Sequence, residues 1–113
     1  MECLRVDPGQ PDPGVVARAA AALLHGQLVA MPTETVYGLA AVATRPEHLQ
    51  RVYAAKGRPG WNPLIAHVTD VAMARGTLVS AWPEAARHLA ERWWPGPLTL
   101  VLPRAPNVPD ALT

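Results

Sequence analysis

Lys56-Gly57-Arg58-Pro59-Gly60-Trp61-Asn62-Pro63-Leu64, KGRPGWNPL, carries the single lysine of a chain whose other nine cationic side chains are all arginines. An amphipathic run lies behind it and an apolar run ahead, so it marks a passage from helix to strand. Lysine in a last helical turn, glycine as C-cap and proline as stop explain the stretch without any ligand. The same residues also suit an anion. Lysine is a mobile point charge and arginine a planar fork of donors, a combination that fits phosphate oxygens. Asn62 adds a neutral donor and acceptor, and Pro59 and Pro63 stiffen the loop around it. Alone, the stretch reads first as a basic helix end, with the phosphate reading open beside it.

Working outward, the elements alternate. Asp12 before Pro13 is a good helix start. Val15, Val16, Ala19, Leu23 and Leu24 then recur at helical spacing, and Gly26 closes the segment. Residues 27–31 read as a short buried strand that Pro32 ends, with residues 33–39 following as a loop or tight turn. Thr44-Arg45-Pro46-Glu47 has the spacing of a capping box. It opens a helix with Leu49, Val52 and Tyr53 on its apolar face, ending near Lys56-Gly57. Residues 64–68 read as a second strand and residues 70–75 as a short helix. A clearer helix covers residues 83–94, with Ala86, Leu89 and Trp93 on one side and Glu84, Arg87, His88 and Glu91 on the other. Trp94-Pro95-Gly96-Pro97 breaks it, and residues 98–102 read as a third strand. The tail, 103–113, is proline-rich without periodicity. Helices between strands imply α/β layering, and no linker or repeat divides the chain.

Bulk properties narrow the function classes. With 113 residues there is room for one core but not two. Half the residues are hydrophobic and 17% charged, an ordinary globular composition. A formal net charge of +1 makes no chain-wide case for nucleic acid, which would need a local patch. The one cysteine, Cys3, excludes an internal disulfide and any CxxC zinc site. No membrane span or signal pattern is visible, so the expected compartment is the cytoplasm.

The usual nucleotide fingerprints GxxxxGK[ST] and GxGxxG are missing, and with Ser80 as the only serine a serine nucleophile has no support. His25, His48, His67 and His88 lack the close pairing of a metal site, so no metal ligands are assigned. A second unusual loop, PTETVYGL at residues 32–39, offers two threonines for a small polar ligand and Glu34 for a cation or amine. Its bland reading is a polar turn whose threonines satisfy local backbone groups.

Taken together and in order, MPTETVYGLAA, KGRPGWNPLIAHV and WWPGPLTLVLP closely resemble the YrdC-like threonylcarbamoyl-AMP synthase family, over residues 26–102. The resemblance implies an open, twisted, mixed α/β sheet with a concave electropositive face. It implies a nucleotidyltransferase that turns L-threonine, bicarbonate and ATP into threonylcarbamoyl-adenylate and pyrophosphate. Partner proteins would then transfer the threonylcarbamoyl group to tRNA beside the anticodon. By matched position, Lys56 and Arg58 would contact ATP phosphates and stabilise the charge that grows there. Asn62 would bind ATP too, Thr35 and His67 would contact L-threonine, and Trp94 to Pro97 would shape the wall of the site. Magnesium would arrive with the triphosphate rather than in a protein cage.

The family pattern continues with a basic strand and a Ser-x-Asn motif that this sequence lacks. The expectation is therefore one YrdC-like domain over residues 1–113, incomplete at its C-terminal end, with an unpaired sheet edge that invites self-association. Two other functions remain on the same scaffold: a non-catalytic RNA-binding module, and a carbamoyltransferase-related enzyme with a different acceptor.

Overall fold

The computed structural model describes residues 2–57, 59, 60 and 62–113. Its elements are α1 (Pro13–Leu24), β1 (Val29–Met31), β2 (Gly38–Ala40), α2 (Pro46–Lys56), α3 (Val71–Thr77), α4 (Glu84–Trp93) and a 3-10 turn at Asp110–Leu112. They divide into two compact units, Met1–Val42 and Ala43–Thr113, and each is taken by itself. Among the described residues no helix is long and apolar enough to cross a membrane.

In the first unit, Asp12 caps α1 as expected. Its carboxylate accepts hydrogen bonds from the Gly14 and Val15 amides at 2.8 and 3.0 Å. The helix closes in a Schellman arrangement: the Gly26 amide donates to Leu23 and the Gln27 amide to Ala22, both at 2.9 Å. Gly26 is buried with φ 78°, so the position favours a residue without Cβ. The predicted apolar face of α1 is not a buried one. No residue of the helix is buried, and Val16 and Leu24 lie 51% and 75% exposed. Helical spacing creates a stripe, but only a neighbouring surface can bury it.

β1 pairs antiparallel with β2, Val29 opposite Ala40 and Met31 opposite Gly38. Two expectations change here. The strand predicted as buried is half-exposed at Val29 and exposed at Ala30 and Met31. The loop predicted to run through Leu39 ends one residue before Gly38, because Gly38 and Leu39 are taken up by the hairpin.

In the second unit, Leu49, Val52 and Tyr53 are the buried residues of α2, as their spacing predicts. The capping box is not used. Pro46 takes the first helical position, where its missing N–H costs nothing, and this makes Arg45 the N-cap without a side-chain bond. Asp70 does cap α3, accepting from the Met73 amide at 2.7 Å.

α4 buries Ala86 and Ala90, whereas Leu89 and Trp93 are 43% and 56% exposed, against the predicted inner face. Small alanines let the helix approach closely, and the buried stripe follows them rather than the bulkier side chains. On the outer side Arg87 reaches Glu91 at 2.8 Å and Glu84 at 3.2 Å. The hydrogen bonds and charge of Glu91, then Glu84, raise the Arg87 pKa above its ordinary value.

The tail corrects a further expectation. Val108 and Leu112, from the segment without periodicity, are 2% and 5% exposed and form the core cluster with Leu49. Leu64, Ala66, Leu78 and Ala105 pack around them. Arg104 fixes the tail's path by donating to the Val108 carbonyl and the Asp110 carboxylate. Five of the eleven tail residues are proline or alanine, and no helical or strand period advertises this burial.

Residues 64–68 and 98–102 are not strands, although each was predicted as one. Burial still alternates along both: Leu64, Ala66 and Val68 are half-buried and Ile65 and His67 exposed, and likewise Leu98, Leu100 and Leu102 against Thr99 and Val101. A period of two selects an extended backbone, but a ladder also needs a neighbour. Among the described residues, 65–68 and 99–102 make no backbone hydrogen bond. The outcome is an α/β chain with four helices and a two-stranded antiparallel sheet among its described residues.

Candidate nucleotide and amino-acid site

Lys56 is the last residue of α2, and its exposed ammonium has no carboxylate within ion-pair distance among the described residues. Gly57 caps the helix in the left-handed region, φ 59° and ψ 28°, with its amide turned back to Ala54 and Tyr53. Helix end and charge presentation are thus one piece of backbone: the cap turns the chain away just where the lysine stands. Arg58, the second predicted cation, lies outside the described residues.

The chain then turns. The Asn62 amide donates to the Pro59 carbonyl at 3.1 Å, closing a four-residue turn. The Asn62 carbonyl in turn accepts from the Tyr53 hydroxyl at 2.8 Å. Both backbone groups of the half-buried Asn62 are engaged, and among the described residues its side-chain amide makes no hydrogen bond. The Leu64 amide ties the exit of the turn to the Leu112 carbonyl at 2.9 Å. Tyr53 is the residue that sequence reasoning missed, having been read only as part of an apolar face. The available signal was the choice of tyrosine at a buried helical position, since a buried phenol needs a partner for its hydroxyl.

His67 stands exposed on the outward side of the 64–68 segment, so it is no core histidine. Thr35 belongs to the first unit, in the loop joining β1 to β2, and is also exposed. Its neighbour Thr33 does the local work: its hydroxyl donates to the Val36 carbonyl and accepts from the Thr35 and Val36 amides at 3.3 and 3.2 Å. The Thr35 hydroxyl has only a long 3.4 Å approach to Thr33, which leaves its hydrogen-bonding capacity largely unspent. The bland reading of the loop thus holds for Thr33, whose hydroxyl satisfies local backbone groups.

Further along the second unit, the Trp94 indole N–H donates to the Leu98 carbonyl at 2.8 Å, and its ring sits 6.1 Å from that of Trp82. Trp93, Pro97 and Leu98 line an open cleft of about 230 Å³, with the Arg92 guanidinium 5.1 Å from the Trp93 ring centre. Among the described residues no three His, Cys, Asp or Glu side chains gather to hold a metal ion.

Comparison with known proteins agrees with this architecture. The profile of the Sua5, YciO and YrdC proteins, described as telomere recombination, matches residues 21–113. The chain is 48% identical over 92 residues to the threonylcarbamoyl-AMP synthase of Bacillus subtilis, covering 81% of this chain and 26% of that protein. It is 50% identical over 95 residues to the synthase of Pyrococcus abyssi, covering 84% and 28%. The crystal structure of P. abyssi Sua5 complexed with L-threonine superposes with a TM-score of 0.88 at 45% identity, over 92% of this chain and 30% of that one. The chain thus spans less than a third of the length of each of these relatives. A match of this extent and identity has one meaning, that the chain belongs to the Sua5, YciO and YrdC family.

Proposed function

We propose that this chain carries part of the site of a threonylcarbamoyl-AMP synthase, which forms threonylcarbamoyl-adenylate and pyrophosphate from L-threonine, bicarbonate and ATP. The observation that carries the reading is the 45% identity and TM-score of 0.88 to a structure that holds L-threonine. In this reading the threonine amine and bicarbonate condense to a carbamate with loss of water. A carbamate oxygen then attacks the α-phosphorus of magnesium-bound ATP, and the bond to the β-phosphate oxygen breaks to release pyrophosphate. Negative charge grows on phosphate oxygens along that path, so cations held nearby lower the barrier without a covalent nucleophile.

Lys56 and Arg58 take that electrostatic role, and Asn62 orients the nucleotide through its side-chain amide. Thr35 and His67 take the amino acid, the hydroxyl and imidazole supplying hydrogen bonds to its polar groups. The adenylate would then pass to proteins that transfer the threonylcarbamoyl group to tRNA. Pyrophosphate release with L-threonine, bicarbonate and ATP tests the reading. Release should require threonine, and release that continues unchanged in its absence would overturn it.

A further inference from the structure

We propose that Tyr53 is a positioning residue that holds the Lys56 helix end and the Asn62 turn in register; its relevance to ATP rests on the function proposed above. Its ring is buried against the second unit's core, one helical turn before Lys56. Its hydroxyl reaches two main-chain carbonyls, Asn62 at 2.8 Å and Ala111 at 3.0 Å. A phenol has one hydrogen, so the two carbonyls share a single donor.

The geometry gives that one atom unusual leverage. The Asn62 amide already closes the turn onto Pro59, and the Tyr53 bond ties the Asn62 carbonyl to α2. The Leu64 amide binds the Leu112 carbonyl just beyond, and Leu112 packs in the cluster with Leu49 and Val108. The 3-10 turn is therefore the backing of the loop, and the Tyr53 side chain links helix, loop and backing together. Without the hydroxyl, the partly buried Asn62 carbonyl loses its donor, and the cost is recovered by the turn moving toward water. That motion displaces Asn62 relative to the end of α2, while the ring stays buried.

Tyr53→Phe isolates the effect, with Val108→Ala as control, since it loosens the core while leaving every hydrogen bond of the turn its donor and acceptor. Amide hydrogen exchange should accelerate about tenfold at Asn62 and Leu64 in Tyr53→Phe, the size expected of one lost hydrogen bond. Val108→Ala should not show that selective pattern. Calorimetric titration with magnesium-ATP should show about tenfold weaker binding for Tyr53→Phe and near-normal binding for folded Val108→Ala. Unchanged exchange at Asn62 and Leu64, or unchanged ATP affinity, would overturn the proposal. If the parent chain binds no ATP, the functional reading above fails instead, and the exchange pattern alone decides whether Tyr53 sets the loop.

Discussion

Lys56 ends α2 with its side chain in solvent and no carboxylate neighbour among the described residues, so Lys56→Ala removes a charge without opening a cavity. Threonine-dependent pyrophosphate release should fall by orders of magnitude while the circular dichroism melt stays within a degree or two of the parent; near-normal turnover would remove Lys56 from the mechanism. Gly57 and Gly96 separate two ways in which glycine matters. A Cβ on Gly57 meets nothing within 4 Å, so alanine there costs only the left-handed backbone, about 1 kcal/mol. A Cβ on Gly96 would sit 2.4 Å from the Trp93 carbonyl oxygen, a backbone atom that cannot swing aside. Gly96→Ala should therefore lower the denaturation midpoint more than Gly57→Ala, and the reverse order would contradict the geometry.

At the scale of elements, α1 and α4 lean on local chemistry because little of either is buried. Asp12 supplies both side-chain cap bonds of α1, so Asp12→Ala should cost about 1 kcal/mol and speed amide exchange first in the opening turn. Asp12→Asn should keep most of the protection. On α4, the Glu84, Arg87 and Glu91 cluster is solvent-exposed, and the raised Arg87 pKa keeps its charge throughout the range in which the protein is handled. Exposed pairs of this kind contribute little to stability and fade with salt. Arg87→Ala should accordingly shift urea unfolding only slightly at low ionic strength, with the difference shrinking by 0.5 M salt. A large, salt-independent loss would mean that Arg87 does something other than pair with its helix neighbours.

Across the second unit as a whole, stability concentrates where the C-terminal segment meets α2. Leu112→Ala should cost about 2–5 kcal/mol, enough to unfold a small marginal core, and chemical denaturation would show it. The same unit carries a second consequence. Residues 65–68 and 99–102 leave backbone donors and acceptors without partners among the described residues, and Val101 is 96% exposed. Extended segments in that state add strands from other chains. Sedimentation should show association that rises with concentration, and Val101→Lys should suppress it. A monomer at every concentration would show that these edges are not sticky.

Local rules that a residue settles with its own neighbours were legible in the sequence. Asp12 caps its helix, Gly26 and Gly57 end theirs, and the buried stripe of α2 is Leu49, Val52 and Tyr53. The three long motifs, read together, also pointed to the family, because their order and spacing survive without any coordinates. What the sequence left open were matters of partnership. Period-two runs at 64–68 and 98–102 select an extended chain but cannot supply the strand beside it. The aperiodic tail hides Val108 and Leu112 because burial there depends on how the chain returns to Leu49, a contact between residues about sixty apart. The Tyr53 hydroxyl belongs to the same class: periodicity placed its ring inside, and only the folded path brought the carbonyls of Asn62 and Ala111 to its one hydrogen.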